Sequence, residues 1–135
     1  MTHFLKLRKF VDRRAAINYN WPLLTRKILS ENPNAIHILE QNIHKINWEH
    51  LSYNPNAIHL LERYPEKIYW PHLSRNPNAI HLLEQALEQS PDKINWNMLS
   101  KNPNAIHLLE RYPEKICWGN LSLNPNAIHI LEQNL

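Results

Sequence analysis

The sequence predicts an all-α fold, an α-solenoid of short helix pairs on a 22-residue repeat, and three observations carry that expectation. The phrase Asn-Pro-Asn-Ala-Ile-His-(Leu/Ile)-Leu-Glu occurs five times in 135 residues, beginning at Asn32, Asn54, Asn76, Asn102 and Asn124. The starts are 22, 22, 26 and 22 residues apart, a period of short helical repeats and well below the roughly 33 to 47 residues of ankyrin, tetratricopeptide or HEAT units. Each unit also carries two helix-start signals. A near-identical unit repeated in line favours a surface over an active site.

Taken in order, residues 1–27 form a basic N-terminal helical capping segment, and residues 28–135 form the repeat solenoid, its fifth copy truncated. Asn20-Trp21-Pro22-Leu23-Leu24 is a degenerate form of the later Asn-Trp-x-x-Leu phrase and runs on as a longer helix through Ile28-Leu29-Ser30, an opening half-repeat. In the unit from Asn32 to Tyr53, Asn32 precedes a proline and is pushed out of the helical region, which suits a cap. Pro33 then takes the first helical position, where its missing N–H is no loss. From there Ala35, Ile36, Ile38 and Leu39 share a broad apolar face, His37 points nearly opposite and Glu40 lies on the flank. Asn47 caps a second helix of about two turns, with Ile46 and Leu51 at the spacing of a hydrophobic staple. Trp48, Trp70, Trp96 and Trp118 recur at one position, each preceded by an isoleucine two residues earlier, which reads as a structural ladder with an aromatic binding stripe as the alternative. Between His81 and Trp96 the chain has four extra residues, about one helical turn, so the helix of that unit lengthens through Ala86 and Leu87 into a protruding turn.

With 43% hydrophobic residues the chain supports one domain with a continuous, elongated core. Cys117 is the single cysteine; it replaces the Asn or Tyr of other units and reads as a small filler. With no secretory apolar region and no long apolar run, the location expected is intracellular or in a virion, neither secreted nor membrane-bound. The formal charge of +3 is uneven. Residues 1–27 hold Lys6, Arg8, Lys9, Arg13, Arg14, Arg26 and Lys27 against Asp12, and the remainder is net acidic. Those seven are candidate phosphate contacts; the plainer reading is a solvated cap whose Leu5, Leu7, Phe10 and Val11 fold onto the first repeat.

Five histidines at one helical position, His37, His59, His81, His107 and His129, invite a metal. Helices pack about 8–10 Å apart, whereas imidazoles sharing zinc place nitrogens about 2.0–2.1 Å from the ion, and no cysteine cluster completes a ligand set. No cofactor is expected. With Glu40, Glu62, Glu84, Glu110 and Glu132 these histidines read instead as an exposed, partner-binding ladder whose affinity responds to pH. One glycine, Gly119, provides no phosphate loop, and Ser30, Ser52, Ser74, Ser100 and Ser122 hold a helix-terminal position. Every candidate nucleophile or base recurs, whereas catalysis needs one asymmetric constellation, so an enzyme is not expected. Asn34, Asn56, Asn78, Asn104 and Asn126, mediocre helix formers in a first turn, read as an amide ladder to the loop of the adjacent repeat.

The phrase Leu-Ser-x-Asn-Pro-Asn-Ala-Ile-His-Leu-Leu-Glu followed by Lys-Ile-x-Trp resembles a repeat in proteins of nucleocytoplasmic large DNA viruses, the giant viruses of algae and amoebae, over residues 28–135. The resemblance implies a viral setting, in virion, host cytoplasm or virus factory, and no catalytic residue. The pattern is also similar to leucine-rich variant repeats, which implies armadillo-like curvature. The function expected is a non-enzymatic interaction or scaffold module for a host or viral protein partner. The alternative is a nucleic-acid-associated protein using the basic front end. A third expectation is a homodimer through the last repeat, whose Ile128, Ile130, Leu131 and Leu135 lack the Lys-Ile-x-Trp half that would cover them.

Overall fold

A computed structural model describes residues 20–135; Lys6, Arg8, Lys9, Arg13 and Arg14, and most of the expected capping segment, lie outside the described residues. Within them every regular element is helical: α1 (Leu23–Glu31), α2 (Ile36–Glu40), α3 (Trp48–Leu51), α4 (Ile58–Arg63), α5 (Trp70–Arg75), α6 (Ile80–Gln89), α7 (Trp96–Leu99), α8 (Ile106–Arg111), α9 (Trp118–Leu121) and α10 (Ile128–Gln133).

The α-helix that opens each unit begins three residues after its proline, at Ile36, Ile58, Ile80, Ile106 and Ile128; in the first unit Pro33 opens a 3-10 turn, Pro33–Ala35, capped by Asn32 as expected, and in the later units that stretch is a turn. The asparagine side chain is the cause. Asn56 N–H donates to Asn54 Oδ1 at 3.0 Å and Ala57 N–H donates to the Asn54 carbonyl at 3.1 Å, closing Asn-Pro-Asn-Ala as a turn. Ala57 then sits at φ −100°, ψ 8° and is itself the residue from which α4 starts. A third helical piece, a single 3-10 turn, also separates the two helices of each unit, at Ile43–Lys45, Pro65–Lys67, Pro91–Lys93 and Pro113–Lys115. Three of these turns start on a proline, where the absent N–H is not needed. The second helices begin where expected, and Asn47 and Asn95 cap α3 and α7 by accepting from His50 N–H and Met98 N–H at 3.0 Å.

The core is a column of leucines. Leu39, Leu61, Leu83 and Leu109 from the first helices, and Leu51, Leu73, Leu99 and Leu121 from the second, are all 0% exposed, each burial contributing about 1.5–3 kcal/mol. Ala57, Ala79, Ala105 and Ala127 are equally closed off, so only a methyl group fits at the head of each first helix. The lengthened α6 has 10 residues against 6 in α4 and α8. Its extra turn does not simply protrude: Ala86 is buried and Leu87 packs against the core.

What joins unit to unit is polar and buried. Asn54 Nδ2 donates to the carbonyls of Ser30 and Asn32 in the preceding unit at 2.9 and 3.0 Å. Asn76, Asn102 and Asn124 repeat this with Ser52 and Asn54, Ser74 and Asn76, and Ser100 and Asn102, all within 2.9–3.1 Å. One side chain thus closes its own turn through its oxygen and holds the previous unit through its nitrogen. The second asparagines form a parallel, exposed rail, with Nδ2 of Asn56, Asn78, Asn104 and Asn126 donating to the carbonyls of Pro33, Pro55, Pro77 and Pro103. The serines form a third rail. Ser52, Ser74 and Ser100 each donate from Oγ to the carbonyl four residues back and accept, at 2.9–3.0 Å, the N–H of Tyr69, Asn95 and Cys117 in the next unit.

Three substitutions test this account of stability. Asn76→Ala removes a cap and strips two buried carbonyls of their donor, so it should cost about 3 kcal/mol. The exposed Asn78→Ala should cost under about 1 kcal/mol, and chemical denaturation of both variants compares them directly. Gly119 lies in α9 without positive φ and with open space at its missing Cβ; Gly119→Ala should therefore stabilise by about 0.5–1 kcal/mol, read as a raised melting temperature.

Candidate interaction surface

The histidines and glutamates of the repeated phrase emerge on one edge of the array and pair across units. Nε2 of His59, His81, His107 and His129 lies 2.7, 2.6, 2.9 and 2.8 Å from Oε1 of Glu40, Glu62, Glu84 and Glu110, respectively. With Nε2 as the donor, each carboxylate accepts from the unit that follows it. The side chains of these pairs are 44–54% exposed, so the edge is ordered yet open to solvent. His37 begins the row and Glu132 ends it, each without such a pair among the described residues. The one-turn spacing of His37 and Glu40 does not bring them together; the translation from one unit to the next does.

The edge persists across the insertion. His107 reaches Glu84 over 23 residues, whereas the other three pairs span 19, because the four extra residues lie after Glu84 on α6 and leave its head in register.

A second cluster escapes the phrase because it arises from its variable positions. His50 Nδ1 pairs with Glu31, His72 Nδ1 donates to the Glu49 carbonyl at 2.8 Å, and His72 stands edge-on to His50 and Tyr69. In later units Met98 and Asn120 replace these histidines, and Asn120 Nδ2 donates to the Asn97 carbonyl at 2.9 Å. The cluster is therefore confined to the front units. Among the described residues no group of three or more His, Cys, Asp and Glu is placed to hold a metal ion.

Trp21 is buried, Trp48, Trp70 and Trp96 are partly buried and packed on the core, and each of these four is met by a residue of the unit that follows. Lys45 Nζ sits 5.0 Å from the Trp21 ring and Lys93 Nζ 5.0 Å from that of Trp70. Where the following unit carries a tyrosine, that ring is used instead: Tyr64 meets Trp48 at 5.2 Å and Tyr112 meets Trp96 at 5.4 Å between centroids. Trp118, followed only by the opening phrase of the last unit, is 42% exposed. The signal was present in the sequence, in the alternation of Asn42, Tyr64, Ser90 and Tyr112.

The remaining candidates divide. Of the seven basic residues at the front, Arg26 and Lys27 are described, and Arg26 is engaged locally, its Nε donating to the Trp21 carbonyl at 3.2 Å and its Nη2 to Asn20 Oδ1 at 3.3 Å. In the last unit Ile128 and Leu135 are exposed and Leu131 is half-buried. Ile130, expected on an open face, is 6% exposed and belongs to the core, because it follows the buried position held by Leu60 and Leu108 in other units. Cys117 is partly buried and unpaired. No helix among the described residues is long and apolar enough to cross a membrane.

Compared with protein families, curated proteins and solved structures, the chain matches none.

The His–Glu pairs are solvated and held on surface side chains, so each should contribute little to folding. A double-mutant cycle on His81→Ala and Glu62→Gln should give a coupling below about 1 kcal/mol that shrinks in about 0.5 M salt.

Proposed function

We propose that the chain is a non-enzymatic interaction module, an α-solenoid of stacked units whose exposed His–Glu edge holds a protein partner. The solenoid reading rests on the three rails of hydrogen bonds, which join each unit to the next in one repeated register. The observation that carries the functional reading is the edge itself. The buried asparagines and the interior serines are consumed in holding units together, whereas the paired histidines and glutamates remain about half exposed. In each pair the second ring nitrogen and the second carboxylate oxygen have no partner among the described residues, so with Nε2 as the donor the edge offers a periodic row of acceptors to an extended partner. Ordering such a row beforehand lowers the entropy lost on binding. No asymmetric constellation of nucleophile, base and oxyanion donor accompanies it among the described residues. The resemblance of the repeat phrase to one in proteins of giant viruses supports a role for such a module in a virion or virus-factory assembly.

The test uses the purified chain and a variant carrying His59→Ala, His81→Ala, His107→Ala and His129→Ala. The variant should keep its helical circular dichroism and lose capture of the wild-type chain's specific protein partner by about tenfold or more. In parallel, labelled duplex DNA titrated at two salt concentrations should show no tight binding. Tight DNA binding that weakens steeply with salt, with partner capture unchanged in the variant, would replace this reading with nucleic-acid association.

A further inference from the structure

The insertion in α6 contributes Leu87 to a groove among the described residues. An open groove of about 480 Å³ runs beside Trp96. Its apolar wall is Leu87 from the extra turn with the Trp96 and Tyr112 rings, and its charged lining is Asp92, Glu114 and Lys115. Leu87 has no counterpart in the shorter first helices, so the groove belongs to this register by virtue of the four added residues.

We propose that this groove docks a basic peptide segment, with a lysine or arginine side chain laid along Leu87 and its charge on the Trp96 ring beside Asp92 and Glu114. The chain supplies its own template for that occupant. One unit earlier, Trp70 is flanked in sequence by the same arrangement of acids, Glu66 in the 3-10 turn before it and Asp92 in the next, and there the ammonium of Lys93 lies 5.0 Å from the ring. Trp21 likewise receives Lys45 at 5.0 Å. At Trp96 the corresponding lysine, Lys115, lines the groove while Tyr112 meets the ring at 5.4 Å and a tilt of 57°. An aromatic corner, two carboxylates against one ammonium, and an aliphatic wall suit a cation on a methylene stem. Arg111 is already placed over Tyr112 at 5.6 Å, which leaves the Trp96 side for the incoming charge. The groove shares no residue with the His–Glu edge and stands independently of it.

The experiment is a titration of the full-length, isotope-labelled chain with acetyl-tetralysine-amide and acetyl-tetraarginine-amide, followed by NMR at the tryptophan indole N–H groups. The largest shifts should fall on Trp96, with dissociation constants in the range of about 0.1–1 mM at low salt. Asp92→Asn with Glu114→Gln, both at exposed positions, should weaken binding about tenfold, and Leu87→Ala should weaken the arginine and lysine peptides alike. Absence of a shift at Trp96 overturns the proposal. So does equal affinity for the double variant, or binding of acetyl-tetraglutamate-amide as tight as that of tetralysine.

Discussion

The amide of the first asparagine in the second to fifth Asn-Pro-Asn phrases is the contact on which the rest of the array depends. It is fully or almost fully buried at Asn54, Asn76, Asn102 and Asn124, where a polar group left unpaired costs about 1–3 kcal/mol. Its oxygen must accept from the N–H two residues ahead and its two protons must reach two carbonyls of the preceding unit. Those demands are met only when consecutive units stand in one relative position. The leucine column supplies most of the driving force, but it is non-directional; the asparagine makes the stacking specific. Alanine at the head of each first helix allows the close approach that brings the carbonyls within reach.

Function then follows from register. Once every unit is set on its predecessor by the same bonds, any side chain at a fixed position becomes a row. Rows facing the core are invariant in character, since Leu, Ala, Ser and Asn each satisfy a packing or hydrogen-bonding demand there. Rows facing solvent carry no such demand, and the His–Glu edge is one of them. The rail also tolerates length change where it does not pass: four residues added behind Glu84 leave the bonds of Asn102 to Ser74 and Asn76 intact. That tolerance is how a regular array acquires one irregular feature, the Leu87 groove, without losing its continuity.

Much of this was legible in the chain. The period, the all-helical character, the Asn47 and Asn95 caps and the lengthened α6 follow from local rules acting within a few residues. The amide ladder of Asn56, Asn78, Asn104 and Asn126 to the loop of the adjacent repeat was legible too; the partners of the buried asparagines and serines did not follow, because they lie 17 to 28 residues away and no local rule selects among equivalent acceptors. The histidines and glutamates were legible as one ladder, but that each histidine pairs with the preceding unit's glutamate is a consequence of the inter-unit displacement. At Pro33 a 3-10 turn capped by Asn32 does begin where the proline suggests, but in the later units that stretch is only a turn closed by the asparagine oxygen, and the α-helix starts three residues on. Ile130 was placed on an open face because it lacks the half-unit that follows elsewhere, but its burial is supplied within the last unit and the one before it.

Native-state hydrogen exchange resolved by residue tests the central claim most directly. The amides of Asn78 and Asn104, which donate to buried asparagine oxygens, and of Tyr69, Asn95 and Cys117, which donate to serine oxygens of the previous unit, all lie outside the α-helices. If the rails hold the array, these loop amides exchange as slowly as those of Leu61 and Leu83 in the core helices, with protection of at least about 10³. Exchange at the rate of solvent-exposed loops, with protection confined to the helices, would contradict it and leave the leucine column alone to hold the units together.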